Sequence, residues 1–272
     1  DFTQNGQSGQ GNQLFEACPG GAPCNVLAML NKLGRKTAFI GKVGDDQFGR
    51  LLKRTIEDLG VESRGLILDQ NIHTTLAFVH TLSDGDREFS MTDEPARTAT
   101  EKALETAREQ GCLITFDPNL RPPLWSSMED AKKQMEFGFG YCDILKISDN
   151  EIQFVSGMED YDDGIRYLQK KYQIPLIFLT MGKEGSRAYY RNLRVERPGF
   201  SVKTVETTGA GDTFFGCAIH GVLEYGLDKL NEQKLGQILT YANGGAALIT
   251  TKKGAIRSMP EPEDIMKLLG EQ

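Results

Sequence analysis

Apolar side chains recur along this chain at helical and at strand intervals, and the alternation predicts strands followed by helices. Residues 24 to 33 carry helical spacing and stop at Gly34, a residue suited to end a helix. Residues 37–43 read as a strand, and 48–59 as a second amphipathic helix closed by Gly60. The runs 74–82 and 87–90 flank Ser83-Asp84-Gly85-Asp86 and predict a hairpin. Residues 92–110 form the next expected helix, with Pro95 in its first turn and Gly111 at its end. Short apolar runs at 112–116, 144–147 and 176–180 predict buried strands, and 186–195 a second hairpin. The last third is helical at 212–225, 232–248 and 262–269. Such alternation implies an α/β fold whose mostly parallel sheet is covered on both faces. The early hairpin breaks the alternation and suggests a separate small sheet. The Gln/Gly/Asn-rich stretch 4–13 reads as a loop.

Composition narrows the classes. The 272 residues suffice for one large domain, and 39% hydrophobic with 25% charged residues is ordinary for a globular protein. A formal net charge of −7 argues against nucleic acid as the main partner, because phosphate backbones need a basic surface. It leaves room for a small phosphorylated molecule in a local electropositive pocket. No stretch approaches the ~20 apolar residues of a membrane span, and the printed chain opens on no signal peptide. Cys18, Cys24, Cys112, Cys142 and Cys217 lack any CxxC pair and read as reduced, mostly buried thiols of a cytoplasmic protein. His73, His80 and His220 have no metal-ligand spacing.

Several runs carry candidate chemistry. Thr207-Thr208-Gly209-Ala210-Gly211-Asp212 leads straight into an apolar helix. Small residues there let backbone N–H groups converge on an anion, and the helix N-terminus adds partial positive charge. Asp212, in the first turn, is placed to take a proton from an acceptor hydroxyl. The same residues read equally as a tight turn with Asp212 capping the helix. Thr180-Met181-Gly182-Lys183-Glu184-Gly185 follows a predicted strand, at the sheet edge where α/β proteins bind ligands, or is a hairpin turn. Lys146-Ile147-Ser148-Asp149-Asn150-Glu151 either presents Glu151 to Mg²⁺ through water or is a helix start capped by Ser148 or Asp149. Asn243 begins a small-residue helical stretch that suits a flat purine or close helix packing.

Polar groups that both donate and accept gather in two further runs. Asp1 and Gly20-Gly21-Ala22-Pro23-Cys24-Asn25 offer a carboxylate, an open turn and an amide at a helix start. Asp117-Pro118-Asn119-Leu120-Arg121 follows a strand, and its Arg121 either holds an acceptor or a transferring phosphoryl group, or is solvated. Trp125 lines a pocket or packs in the interior.

Taken in order, GGAPCN, DPNLRPPLW, TMGKEGS, TTGAGD and TKKGA resemble the PfkB carbohydrate kinases, with features most similar to bacterial fructokinases. The resemblance covers the whole chain. It implies a ribokinase-like three-layer α/β/α fold with a mostly parallel central sheet and a small β lid. One domain, 1–272, would carry the lid mainly at about 10–18 and 65–90. The implied reaction is direct transfer from ATP to a sugar hydroxyl, D-fructose giving fructose 6-phosphate, in the cytoplasm. Ribose, 2-keto-3-deoxygluconate and nucleoside kinases share the scaffold, as would a non-catalytic sugar-binding relative.

The family's base falls on Asp212 and its anion hole on Gly209, Ala210 and Gly211, with Arg121 beside the acceptor. Sugar-binding positions fall on Asp1, Gly20, Gly21 and Asn25, and nucleotide-binding ones on Thr180, Gly182, Gly185 and Asn243. Mg²⁺ is expected at Glu151 through water. K⁺ is expected near Glu206, Thr208, Gly254 and Ser258. The chain departs from the family at Glu206, often Asp, and at Ser148, usually Asn. A homodimer through the lid is the expected assembly. The resemblance also predicts a strand ahead of Asp1 and a few dozen residues between Ser90 and Met91, which are therefore not expected to be covalent neighbours.

Overall fold

Ten strands and nine helices occupy the described residues of the computed structural model, which are 2–76, 78–79 and 96–270. The first half holds β1 (Phe2–Gln7), β2 (Gln13–Ala17), α1 (Ala22–Lys32), β3 (Ala38–Gly44), α2 (Gln47–Asp58), β4 (Glu62–Asp69), β5 (Phe78–Val79), α3 (Ala96–Glu109), β6 (Thr115–Phe116) and α4 (Met128–Phe139). Then come β7 (Ile144–Ser148), α5 (Asp149–Ser156), α6 (Tyr161–Tyr172), β8 (Leu176–Thr180), β9 (Ser186–Tyr190), β10 (Leu193–Arg197), α7 (Ala210–Tyr225), α8 (Glu232–Ile249) and α9 (Pro262–Gly270). Contacts gather the chain into two units. One comprises Asp1–Met91, Val202–His220 and Gly245–Gln272; the other comprises Thr92–Ser201 and Gly221–Gly244.

In the first unit β1 pairs antiparallel with β2 and parallel with β5, while β3 and β4 form a parallel pair. Ile56, Val61 and Leu66 make a small core onto which Cys24, Leu27, Phe39 and Val43 pack. Asp46 starts α2: its Oδ1 accepts the amides of Phe48 at 2.9 Å and Gly49 at 2.8 Å. The same carboxylate accepts the Thr74 amide and hydroxyl, both at 2.8 Å. One side chain thus caps a helix and anchors a segment 28 residues away.

In the second unit a five-stranded sheet runs β10-β9-β8-β7-β6, parallel from β6 to β8 and antiparallel beyond. Strands β7 and β8 are buried on both faces, which is why they read as unbroken apolar runs. Leu145, Ile147, Ile177 and Leu179 pack with Met135 and Phe139 of α4, Ile152 and Val155 of α5, and Ile165 and Leu168 of α6.

The expected and observed elements differ in several places, and helix α4 was not among those expected. Stretch 4–13 is not a loop throughout: β1 runs to Gln7, β2 starts at Gln13, and Ser8 closes the turn on Asn12 O at 2.8 Å. Pairing to 15–17 imposes the extended backbone on a polar, glycine-rich sequence. The 112–116 strand shrinks to Thr115–Phe116; only Ile114 is buried, and Cys112 and Leu113 are exposed. Strand β4 was not read from the apolar pattern, although its later residues fall within the β lid expected at about 65–90, and it pairs parallel with β3. Of the early hairpin, Phe78–Val79 pairs parallel with β1, and 80–95 lie outside the described residues, as do Asp1 and the Ser90–Met91 junction.

Candidate active site

In the first unit the 207–212 run turns into α7. Ala210 N–H bonds Thr207 O at 3.2 Å, and Thr213 N–H bonds Gly209 O at 2.8 Å, the first bond of the helical ladder. Gly209 makes this turn at φ 79°, a left-handed backbone that L side chains adopt at a cost. The amides of Gly209 and Gly211 make no hydrogen bond among the described residues, as the geometry of a helix start requires. Of the three amides assigned to the anion hole, two are therefore open and that of Ala210 closes the turn.

Asp212 follows at once and is buried, 8% exposed. Asn25 sits in the first turn of α1, its amide N–H on Gly21 O at 2.9 Å. Its Nδ2 donates to Asp212 Oδ2 at 2.7 Å across 187 residues of sequence. That bond fixes the carboxylate and also fixes which end of the Asn25 amide is nitrogen. Asn25 Oδ1 is then a buried acceptor with no partner among the described residues, the arrangement expected of a group that receives a ligand hydroxyl. Gly20 and Gly21 precede α1 at this place. Burial pushes the neighbouring Cys24 thiol up to about 11, so it is a neutral packing group at physiological pH.

The four positions expected around K⁺ gather in the same unit. Thr208 Oγ1 donates to Glu206 Oε1, and Gly254 N–H donates to Glu206 Oε2 at 3.1 Å. Ser258 Oγ donates to Lys253 O at 2.5 Å, and a Cβ on Gly254 would lie 3.5 Å from Ser258 Oγ. Glu206 thus ties the turn before α7 to the turn after α8.

In the second unit the 117–121 turn is held from β7 and α5. Lys146 Nζ lies 3.2 Å from Asp117 Oδ1 and 3.1 Å from Oδ2, and both side chains are almost fully buried. Asp117 Oδ1 also accepts the Asn119 amide at 3.1 Å, the Asx-turn that the sequence left open. Glu151 Oε1 accepts the Leu120 amide at 2.7 Å, and its Oε2 the Ser148 amide at 2.8 Å. Ser148 returns the bond to complete a capping box at the start of α5. The helix-cap reading of Glu151 is what forms, and no group of three His, Cys, Asp or Glu able to hold a metal occurs among the described residues. Arg121 ends the turn with Nη1 on Leu120 O at 3.1 Å.

Thr180 ends β8, and Gly182–Glu184 forms a single tight turn before Gly185 and β9, so this run is the hairpin connection. Asn243 Oδ1 accepts the Ser186 hydroxyl at 2.8 Å, and its Nδ2 donates to Arg197 O at 3.2 Å and Pro198 O at 3.0 Å. Its amide is spent on the protein, stapling α8 to β9 and to the chain leaving β10. Trp125 is half-buried. All five cysteines are free thiols; Cys142 and Cys217 are buried and Cys112 is exposed, so fewer are buried than expected. Sequence reasoning missed Lys146. Its signal was a lone lysine inside an apolar strand, which burial tolerates only with a partner.

Comparison with known proteins shows the family. The family described as pfkB family carbohydrate kinase matches residues 3–105 and 90–262. Probable fructokinase-5 of Arabidopsis thaliana is 38% identical over 289 aligned residues, covering 94% of this chain and 89% of that protein. Fructokinase-1 of Zea mays is 35% identical over 288, with the same coverage. A crystal structure of fructokinase from Vibrio cholerae O395, in a fructose, ADP and calcium ion bound form, matches with a TM-score of 0.84 at 28% identity, over 99% of this chain and 96% of that one. The chain belongs to the pfkB family of carbohydrate kinases and has the ribokinase-like α/β fold. It is a sugar kinase.

Proposed function

We propose that the chain is a fructokinase, transferring the γ-phosphoryl group of ATP to D-fructose and giving fructose 6-phosphate and ADP. The observation that carries this reading is the buried Asp212 carboxylate, fixed by Asn25 and flanked by the open amides of Gly209 and Gly211. The sugar hydroxyl attacks the γ-phosphorus in line as its proton passes to Asp212; the new P–O bond forms while the bond to the ADP oxygen breaks. No phosphoenzyme intervenes. Charge developing on the phosphates is met by the amides at the start of α7.

Asn25 Oδ1, the Gly20–Gly21 turn and Asp1 bind the sugar, and Arg121 serves the acceptor or the transferring group. Thr180, Gly182 and Gly185 border the nucleotide, with Asn243 shaping the wall behind them. A Mg²⁺ ion brought by ATP would, when bound, offset phosphate charge. Glu151, with two backbone bonds already on its carboxylate, would hold that ion through water. K⁺ belongs beside Glu206, Thr208, Gly254 and Ser258. The whole chain acts as one kinase domain, in the cytoplasm, as a homodimer through a lid at about 10–18 and 65–90.

The test is ADP release in a coupled assay across D-fructose, ribose, 2-keto-3-deoxygluconate and adenosine. Fructose should give the highest kcat/KM. Equal or better turnover of another acceptor would refute the substrate assignment, and no ADP release from any of them would refute the catalytic one.

A further inference from the structure

We propose that Lys146 is a positioning residue for Arg121, acting through Asp117 on the 117–121 turn. This inference rests on the reading of Arg121 as a substrate-facing residue. Lysine is expensive to bury, yet Lys146 is 5% exposed in the middle of an apolar strand. The register Phe116↔Leu145 brings Asp117, the residue after β6, beside it. The pair offsets its own burial, but a hydrophobic pair would serve packing as well.

What the pair adds is a fixed carboxylate. Asp117 Oδ1, gripped by Lys146, holds the Asn119 amide at 3.1 Å while Asn119 adopts φ 45°, a left-handed backbone unusual for a non-glycine residue. One residue further, Leu120 N–H is held at 2.7 Å by Glu151, itself fixed by the α5 capping box. The turn is therefore secured at consecutive amides, one by Asp117 that Lys146 grips and one by Glu151, so that both anchors trace back to the β7–α5 segment. Arg121 leaves the second anchor extended, at φ −127° and ψ 92°, with Pro122 and Pro123 stiffening the chain beyond it. A guanidinium acts on a carbohydrate or phosphoryl group only if its direction is set, and a displacement of about 1 Å costs on the order of 10²-fold in rate.

The experiment compares the wild type with K146R and with the double variant K146M/D117N, each also made in an R121A background. K146M/D117N removes both charges together, so neither is left buried alone, and Asn keeps the acceptor for the Asn119 amide. Hydrogen exchange over 117–121 should speed up by about tenfold in the double variant with the β7–β8 core unchanged. With fructose and ATP, its kcat should fall by about tenfold or more, with KM for ATP within about twofold. In the R121A background the same change should cost less than about twofold, because the two act as one unit. K146R, which keeps the charge, should stay within a few-fold of wild type. Equal exchange rates, or a full and independent loss of kcat on top of R121A, would overturn the proposal. Should K146M/D117N fail to fold, D117N against R121A/D117N supplies the same comparison through KM and kcat, because Asn keeps the acceptor for the Asn119 amide while the ion pair that grips it is lost. Faster exchange in a protein that phosphorylates no sugar would leave the clamp standing and refute the functional reading alone.

Discussion

Gly209→Ala separates the two things the 207–212 turn does. The substitution meets the left-handed backbone at φ 79°, which costs a non-glycine residue about 1–2 kcal/mol. The added Cβ would stand 3.3 Å from the Ala255 Cβ and 3.9 Å from Asn25 Nδ2, so Ala255 must yield by a few tenths of an ångström. Against a stability of about 5–15 kcal/mol, such a loss leaves nearly every molecule folded. For a chain of this size it lowers Tm by roughly 2–8 °C. Turnover should suffer far more. The methyl presses on Ala255 and shifts the peptide whose N–H we assign to the developing anion, and loss of one such donor costs about 10²–10³ in kcat. Gly226→Ala is the matched control: it has the same φ of 79°, and its Cβ would meet only Lys229 Cδ, at 3.9 Å. Thermal melts and the coupled ADP assay with fructose should show similar Tm losses in both variants and a collapse of kcat in Gly209→Ala alone. Equal kcat values for the two variants would refute the assignment of the turn to the anion site.

Asp212→Asn keeps the shape of the site and an acceptor for Asn25 but removes the base, so kcat should fall roughly 10²-fold or more; undiminished turnover would remove Asp212 from the mechanism. Asp46 tests the electrostatics of the fold. The amides of Thr74 and Gly49 hold its carboxyl at about 2, below the ordinary 3.8. A depressed folded value means stability that is present above the unfolded value and lost as pH falls toward the folded one. The Tm gap between wild type and Asp46→Asn should therefore be constant down to about pH 4 and narrow below it; a gap that widens with acid would contradict the sign.

Much of the fold is legible in the sequence because its signals are local. Gly34, Gly60 and Gly111 end helices where their placement says they should, and 176–180 is a strand because four consecutive apolar residues between turns have nowhere to go but a two-sided core. The misreadings arise where pairing overrides composition. β1 is mostly polar and is extended through its register with β2, a contact that the residues of 4–13 do not announce. The 112–116 run has strand-like composition, but β6 pairs with β7 only at Thr115 and Phe116. The site shows the same division. Small-residue turns stand out in the text, so Gly209 to Asp212 and Gly20 to Asn25 were visible as separate pieces. The Asn25–Asp212 bond and the Lys146–Asp117 pair span 187 and 29 residues, and no local pattern encodes either partner's identity.

Asn243 is followed by Gly244, and an asparagine before glycine is chemically the least durable amide in a protein. In a loose chain the glycine nitrogen attacks the side-chain carbonyl, ammonia leaves, and hydrolysis of the cyclic imide gives aspartate or its isomer. Here the pair lies inside α8, whose backbone cannot present that nitrogen, and the amide is engaged at both ends. Folding is thus a preservative for this bond. A molecule that ages while unfolded would return with a carboxylate facing two carbonyl oxygens, Arg197 O and Pro198 O, where an amide had donated. The staple between α8, β9 and the chain leaving β10 also records, irreversibly, how long the chain has spent open.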